Sequence, residues 1–183
     1  MVKDRENVST WIQHHNICDD PFRRMFLNKR YAQASVAFLR AGRNREAAIC
    51  DAYLLRENAR LIPTTANAAR IQAFTAAANA FITCAQDSPS KQINERLAYY
   101  GTAGECYSEA RTLKNAGDSY RKAKQYAAAA RTYREGGYFD ELVEVITQHG
   151  KLLDTGLLER LTKVAQMYYF KVCFNECLVS EYL

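Results

Sequence analysis

Proline is scarce in this chain of 183 residues, at three, and glycine is modest, at eight. That composition disfavours a sandwich or barrel of many short strands and tight turns. No apolar run reaches the roughly 18 residues that a membrane span needs, so nothing is expected to cross a bilayer. The opening Met-Val-Lys-Asp-Arg-Glu-Asn is charged with no apolar run behind it, so no signal peptide is expected. The six cysteines, Cys18, Cys50, Cys84, Cys106, Cys173 and Cys177, form no close-spaced framework. They read as reduced, mostly buried thiols in an intracellular protein, cytoplasmic or nuclear.

Chemical motifs are missing as well. No Gly-x-x-x-x-Gly-Lys-Ser/Thr occurs; Gly101 and Gly104 lack the lysine, and Gly150-Lys151 lacks the loop. Gly101 and Gly104 read instead as sites of close helix packing. His14, His15 and Cys18 lie near one another, but a structural zinc site takes about four ligands and no second pair is evident. Cys173 and Cys177, one helical turn apart, read as core residues. His149 suits a helix C-terminus, where a cation complements the dipole. No Ser-His-Asp or Cys-His set assembles, and Glu105, Glu109 and Asp118 are expected on solvated faces. The expectation is a chain without catalytic residues, cofactor or metal.

What is present favours helices. Alanine is abundant and nearly half the residues are apolar. Lys and Arg number 25 against 20 Asp and Glu, a balance that permits an acidic partner without demanding one. Apolar residues recur at three and four almost throughout. The pattern predicts helices over Asn7–His15, Pro21–Leu27 and Arg30–Arg40, the last ended by Ala41-Gly42. Asn44 is a candidate cap for a longer helix to about Arg60, stopped at Ile62-Pro63. Thr64 or Thr65 would start an Ala-rich helix with the stripe Ile71, Phe74, Ala78, Phe81, Ile82 and Ala85. After the turn at Asp87-Ser88-Pro89-Ser90, helices follow with breaks near Gln125, Gly136-Gly137 and Gly150. Asp154 or Thr155 would cap a last helix to about Lys171. The pattern stops unfinished at Glu181-Tyr182-Leu183, as an excised fragment would.

Two internal repeats stand out. Lys29–Phe38, with Ala41-Gly42 and Glu46 behind it, reappears 95 residues on as Lys124–Tyr133, with Gly136-Gly137 and Glu141. Ala103–Ala110 reappears thirteen residues on as Ala116–Ala123. Such units cannot bury an apolar face alone, so stacking neighbours must do it. Small residues such as Ala34, Gly117 and Ala129 would let helices approach, with Tyr31, Phe38, Tyr120 and Tyr133 filling the remaining space.

These residues resemble a degenerate tetratricopeptide (TPR-like) repeat. Leu113, Ala116-Gly117 and Tyr120 match its first helix, with Leu113 replacing the aromatic. Ala129, Tyr133 and Gly136 match its second, while Glu141 stands where the closing proline is absent. The earlier unit matches through Tyr31, Ala34, Phe38 and Ala41, with Cys18, Phe22 and Met25 on its first helix. The match covers roughly Pro21–Arg60 and Ala103–His149. The aromatic-alanine pattern, the short acidic helix Phe139–Gln148 and the run Leu157–Lys171 are similar to helical regions of fungal UvrD-like helicases and of TPR-and-ankyrin-repeat proteins. In those proteins the ATPase motor lies elsewhere in the chain. SNAP-type trafficking adaptors share the short-hairpin style. The resemblance implies an all-α superhelical solenoid of about nine helices in antiparallel hairpins. Residues 1–150 would form the repeat region and 151–183 a C-terminal helix continuing the array.

In a TPR-like solenoid the first helix of each hairpin lines the groove. There Arg111, Lys114, Asn115, Asp118, Arg121 and Lys122 flank the apolar set Leu113, Ala116, Gly117 and Tyr120. Lys114 and Asn115 resemble part of a carboxylate-gripping pair, so the stripe is a candidate site for a protein partner or acidic peptide segment. Nucleic acid is the weaker candidate: Arg23-Arg24, Lys29-Arg30 and Arg40/Arg43/Arg45 could contact phosphates. The twelve tyrosines could stack on bases, but most of them occupy repeat positions that call for core aromatics. The leading expectation is a non-catalytic interaction scaffold; the alternative is an accessory region of a nucleic-acid motor. Mass spectrometry of freshly purified, denatured, unreduced protein should find six alkylatable cysteines; a native disulfide would contradict the reading of the thiols.

Overall fold

The structure, a computed structural model of the chain, describes residues 21–181. The helix expected over Asn7–His15 lies outside them, as do His14, His15 and Cys18. Nine α-helices follow one another among the described residues: α1 (Pro21–Leu27), α2 (Tyr31–Arg40), α3 (Asn44–Leu61), α4 (Asn67–Gln86), α5 (Ile93–Glu109), α6 (Leu113–Lys122), α7 (Tyr126–Gly136), α8 (Phe139–His149) and α9 (Thr155–Glu181). A 3-10 turn, Gly150–Leu152, precedes α9, and no described residue is in a strand. The fold is all-α, built of antiparallel helical hairpins. The chain divides into two compact units, residues 1–112 and 113–183. In the first, α1 to α5 each pack on the next helix in sequence; in the second, α6 packs on α7, α7 on α8, and α9 on both α7 and α8.

One local device recurs. Lys29, Gly42, Arg111, Lys124 and Gly137 all have left-handed backbone, with φ of 58°, 70°, 58°, 59° and 73°. Each follows a helix. The amide one residue further on donates back to the carbonyl five residues earlier: Arg30 to Met25 at 2.8 Å, Arg43 to Phe38 at 2.9 Å, Thr112 to Tyr107 at 3.0 Å, Gln125 to Tyr120 at 2.9 Å and Tyr138 to Tyr133 at 2.9 Å. This is the Schellman closure, which satisfies carbonyls that a helix end leaves open. Arg30, Arg43, Gln125 and Tyr138 also serve as N-caps of α2, α3, α7 and α8. One residue thus ends a helix and begins the next. Lys29 and Gly42 are thirteen residues apart, as are Arg111, Lys124 and Gly137. The 95-residue and thirteen-residue repeats of the sequence are the spacing of these turns.

This device moves several helix starts from where side chains alone would put them. The caps Arg30, Arg43, Gln125 and Tyr138 make no side-chain cap bond. Asn44 is therefore the first helical residue of α3 rather than its cap. The Ala-rich helix starts at Asn67, not Thr64 or Thr65, after a turn closed by Ala66 N–H donating to the Pro63 carbonyl at 3.0 Å. Asp154 does cap, accepting from the Leu157 amide at 3.1 Å, and α9 runs past Lys171.

In the first unit an aromatic ladder runs through the core. Phe26 meets Tyr31 and Tyr53 edge-on at 5.2 and 5.1 Å, Tyr53 meets Phe81 at 5.0 Å, and Phe81 lies 6.4 Å from Tyr99. Each such pair contributes about 0.5–1.5 kcal/mol beyond burial. Beside it lies a buried polar link. Arg45 on α3 pairs with Glu95 on α5 at 2.8 Å, and Tyr99 donates to the other oxygen of Glu95 at 2.6 Å. Glu95 is 2 % exposed, so this pairing is what makes its burial tolerable. The second unit buries Ala129, Ala130, Tyr133, Leu142, Val145, Leu157, Leu161 and Ala165 together.

A side chain in left-handed backbone costs roughly 1–2 kcal/mol. Lys124→Gly should therefore stabilise the protein by about 0.5–1 kcal/mol. Gly137→Ala should destabilise it by about 1 kcal/mol, since nothing lies within 4 Å of the added methyl and only the backbone resists. Urea titration of each variant checks both signs.

Candidate functional site

The charged stripe of α6 rests on a close helix contact. Gly117 faces Tyr133 of α7 so closely that a Cβ there would stand 2.4 Å from the ring. Tyr133 is fully buried, and its hydroxyl donates to Asp118 at 2.6 Å. Burial first, and then this bond, push the Tyr133 phenol well above its usual range. Asp118 is thus half-buried and bonded to α7, not solvated as expected.

The cations of α6 reach across to α8. Lys114 pairs with Glu141 at 2.8 Å and lies 5.7 Å from the centre of the Tyr138 ring. Arg121 pairs with Glu144 at 2.7 Å. The hydrogen bond to Glu141 raises the Lys114 amine, and the same bond lowers the Glu141 carboxyl. Lys114 remains exposed, as expected, yet its head group is held within the unit. Asn115 and Lys122 are exposed, and the Asn115 carbonyl accepts from Ser119. Arg111 stands apart from this helix, in the left-handed turn that ends α5. Of the six stripe residues, α6 carries five, and Lys114, Asp118 and Arg121 tie it to α7 and α8.

Two features of the first unit escaped the sequence reading. Arg56 of α3 is 5 % exposed, with its guanidinium 5.0 Å from the Tyr53 ring centre and 5.9 Å from that of Phe81. Beside it, Arg60, Arg70, Phe74, Glu105 and Glu109 line a pocket of about 270 Å³ over Cys106. Arg70 pairs there with Glu109 at 2.6 Å, and Arg60 with Glu57 at 2.8 Å. The signal was the placement of Arg56 three residues beyond Tyr53, on the face that buries Ala52 and Ala59. The second feature is an apolar groove of about 760 Å³ along α2, floored by Ala32, Val36, Ala37 and Ala41 and bounded by Met25, Gln33 and Arg40.

Cys50, Cys84 and Cys106 are buried free thiols. Burial is the largest cause pushing them up, to about 12, 11 and 12, which leaves them unreactive at neutral pH. Among the described residues no three His, Cys, Asp or Glu side chains cluster as metal ligands. His149 ends α8 and stacks on Tyr126 at 3.8 Å. No helix among the described residues is long and apolar enough to cross a membrane. No family model, curated protein or solved structure matches the chain.

Truncating Tyr133 to Ala should cost about 3–5 kcal/mol, as for large aromatics in cores. Tyr133→Phe should cost about 0.5–1.5 kcal/mol, the value of one hydrogen bond, in denaturant melts. The double reversal Lys114→Glu, Arg121→Glu should lower the melting temperature by setting like charges against Glu141 and Glu144. Adding Glu141→Lys and Glu144→Arg should recover most of the loss. Because the Glu141 carboxyl is lowered, its stabilisation is present above the ordinary value of 4.5 and fades as pH falls below it. Because the Lys114 amine is raised, its share is present below the ordinary 10.5 and fades as pH climbs past it. Melting curves of the wild-type and swapped proteins across pH measure both limbs.

Proposed function

We propose that this chain is an intracellular, non-catalytic scaffold of TPR-like repeats that captures protein partners. The observation that carries this reading is the recurring turn, which within each unit joins helices by short links and sets them side by side. Helices stacked in this way bury one face against their neighbours and leave another as an extended surface, the use to which helical solenoids are put. Asn115 and Lys122 remain outward on α6, and Lys114 and Arg121 border them at the mouths of their ion pairs. An acidic or carboxylate-bearing segment is the ligand suited to that face.

The alternative is an accessory region of a UvrD-like helicase that positions nucleic acid or partners. The unbroken basic stretch of residues 21–45, with seven Arg and Lys and no Asp or Glu, favours it. Against it, Tyr31, Tyr53, Tyr99, Tyr107 and Tyr133 are buried and so offer no stacking platform, and Arg43 and Arg45 pair with Glu46 and Glu95.

Titration of the chain with acidic peptides and with single-stranded DNA at about 50 and 200 mM salt separates the two readings. The scaffold reading expects binding of acidic peptides that weakens only modestly with salt, as screening of a few exposed charges dictates. Exclusive DNA binding that falls steeply with salt would replace it with the motor-accessory reading.

A further inference from the structure

α2 uses its two faces differently. Tyr31, Ala34, Ser35 and Phe38 are buried in the core. The opposite stripe, Ala32, Gln33, Val36, Ala37, Arg40 and Ala41, steps along the helix at intervals of one, three and four, and lines the groove completed by Met25 of α1. Such a stripe is the seam that a helix presents to a packed neighbour. Three alanines make its floor low enough for a close backbone approach, and Val36 stands up from it, 48 % exposed. Leu39 and Leu27 are exposed nearby at 53 % and 46 %.

Charge says what fits. Residues 21–45 carry seven basic side chains and no acidic one. Arg43 is engaged by Glu46 and Arg45 by Glu95. Arg24, Lys29, Arg30 and Arg40 are exposed, and Arg40 lines the groove itself. The floor is aliphatic, and three aromatic rings of this region, Phe26, Tyr31 and Phe38, are at most 4 % exposed. None of these three rings offers a base a face to stack on. An apolar ridge with acids on its flanks would satisfy both the floor and the rim.

Resting on the scaffold reading, we infer that the α1–α2 groove binds an amphipathic helix of a partner protein, with small or aliphatic residues along its seam and Glu or Asp on its flanks. α2 has ten residues, or about 15 Å of helix, so about three turns of the partner would lie on it. Apolar burial along the seam supplies affinity, while the basic rim speeds encounter and fixes orientation.

The test is fluorescence anisotropy on the full chain. The probe is a labelled designed peptide with Leu at i, i+3/i+4 and i+7 and Glu at the flanking positions. A second probe carries Lys in place of Glu, and a third is single-stranded DNA. Val36→Gln removes apolar seam without touching charge, and Arg40→Glu reverses the rim; both side chains are exposed, and circular dichroism checks that both variants fold. The Glu probe should bind the wild type, and each variant should weaken it by about tenfold, or 1.4 kcal/mol. The Lys probe should prefer the Arg40→Glu variant. Binding of the Glu probe that survives both variants would place capture elsewhere on the chain and end this inference, while the scaffold reading stands. DNA binding lost in Arg40→Glu but kept in Val36→Gln, with no peptide bound, would end both. Displacement of the Glu probe by a peptide copying residues 1–20 would assign the groove to the chain itself and overturn the partner.

Discussion

The architecture depends on one backbone constraint: a single residue held in left-handed geometry after the last turn of a helix. There the following amide closes onto the carbonyl five residues back, and within each unit the chain reverses. At four of the five positions the next residue is already the cap of the following helix, so no loop intervenes. Where helices are short the device repeats every thirteen residues, as from Arg111 to Lys124 to Gly137. Glycine fills only two of the five positions. At Lys29, Arg111 and Lys124, whose side chains are exposed, the hydrogen bonds offset the cost of the conformation.

Once the turns set helices antiparallel, the distance between them is decided by a few contacts. In the second unit Gly117 lets α6 settle onto the Tyr133 ring, and the Tyr133 hydroxyl finds Asp118 one residue away. The pairs Lys114–Glu141 and Arg121–Glu144 join α6 to α8 across the same face. The charged residues of the α6 stripe therefore hold neighbouring helices. In the first unit the ladder from Phe26 to Tyr99 does the equivalent work with aromatic edges, and Arg45–Glu95 adds a buried polar tie.

The apolar face of each helix was legible because burial imposes a period. Phe74, Ala78, Phe81 and Ala85 follow it and are buried, while Ile71 and Ile82 at the edge of the stripe are only half-buried. The candidate stripe on α6 was legible as a row of charges. Its pairings were not, because Glu141 and Glu144 belong to a helix two elements further on. Arg56 went unnoticed for a related reason: a cation within an apolar stripe looks like an interruption until two aromatic rings are seen to receive it. The groove on α2 was hidden because its residues are mostly alanines, whose role depends on what stands opposite.

By itself the sequence determined that the chain is helical, where its turns fall to within a few residues, and that its repeats share a register, because these follow from local propensity and short-range hydrogen bonding. Tertiary structure decided which charges pair within the fold, as Lys114 with Glu141 and Arg121 with Glu144. It also decided which small residues mark close packing, as Gly117 does, and which line an open groove, as Ala37 does. Those outcomes depend on distances between helices, and no spacing along one strand of sequence contains them.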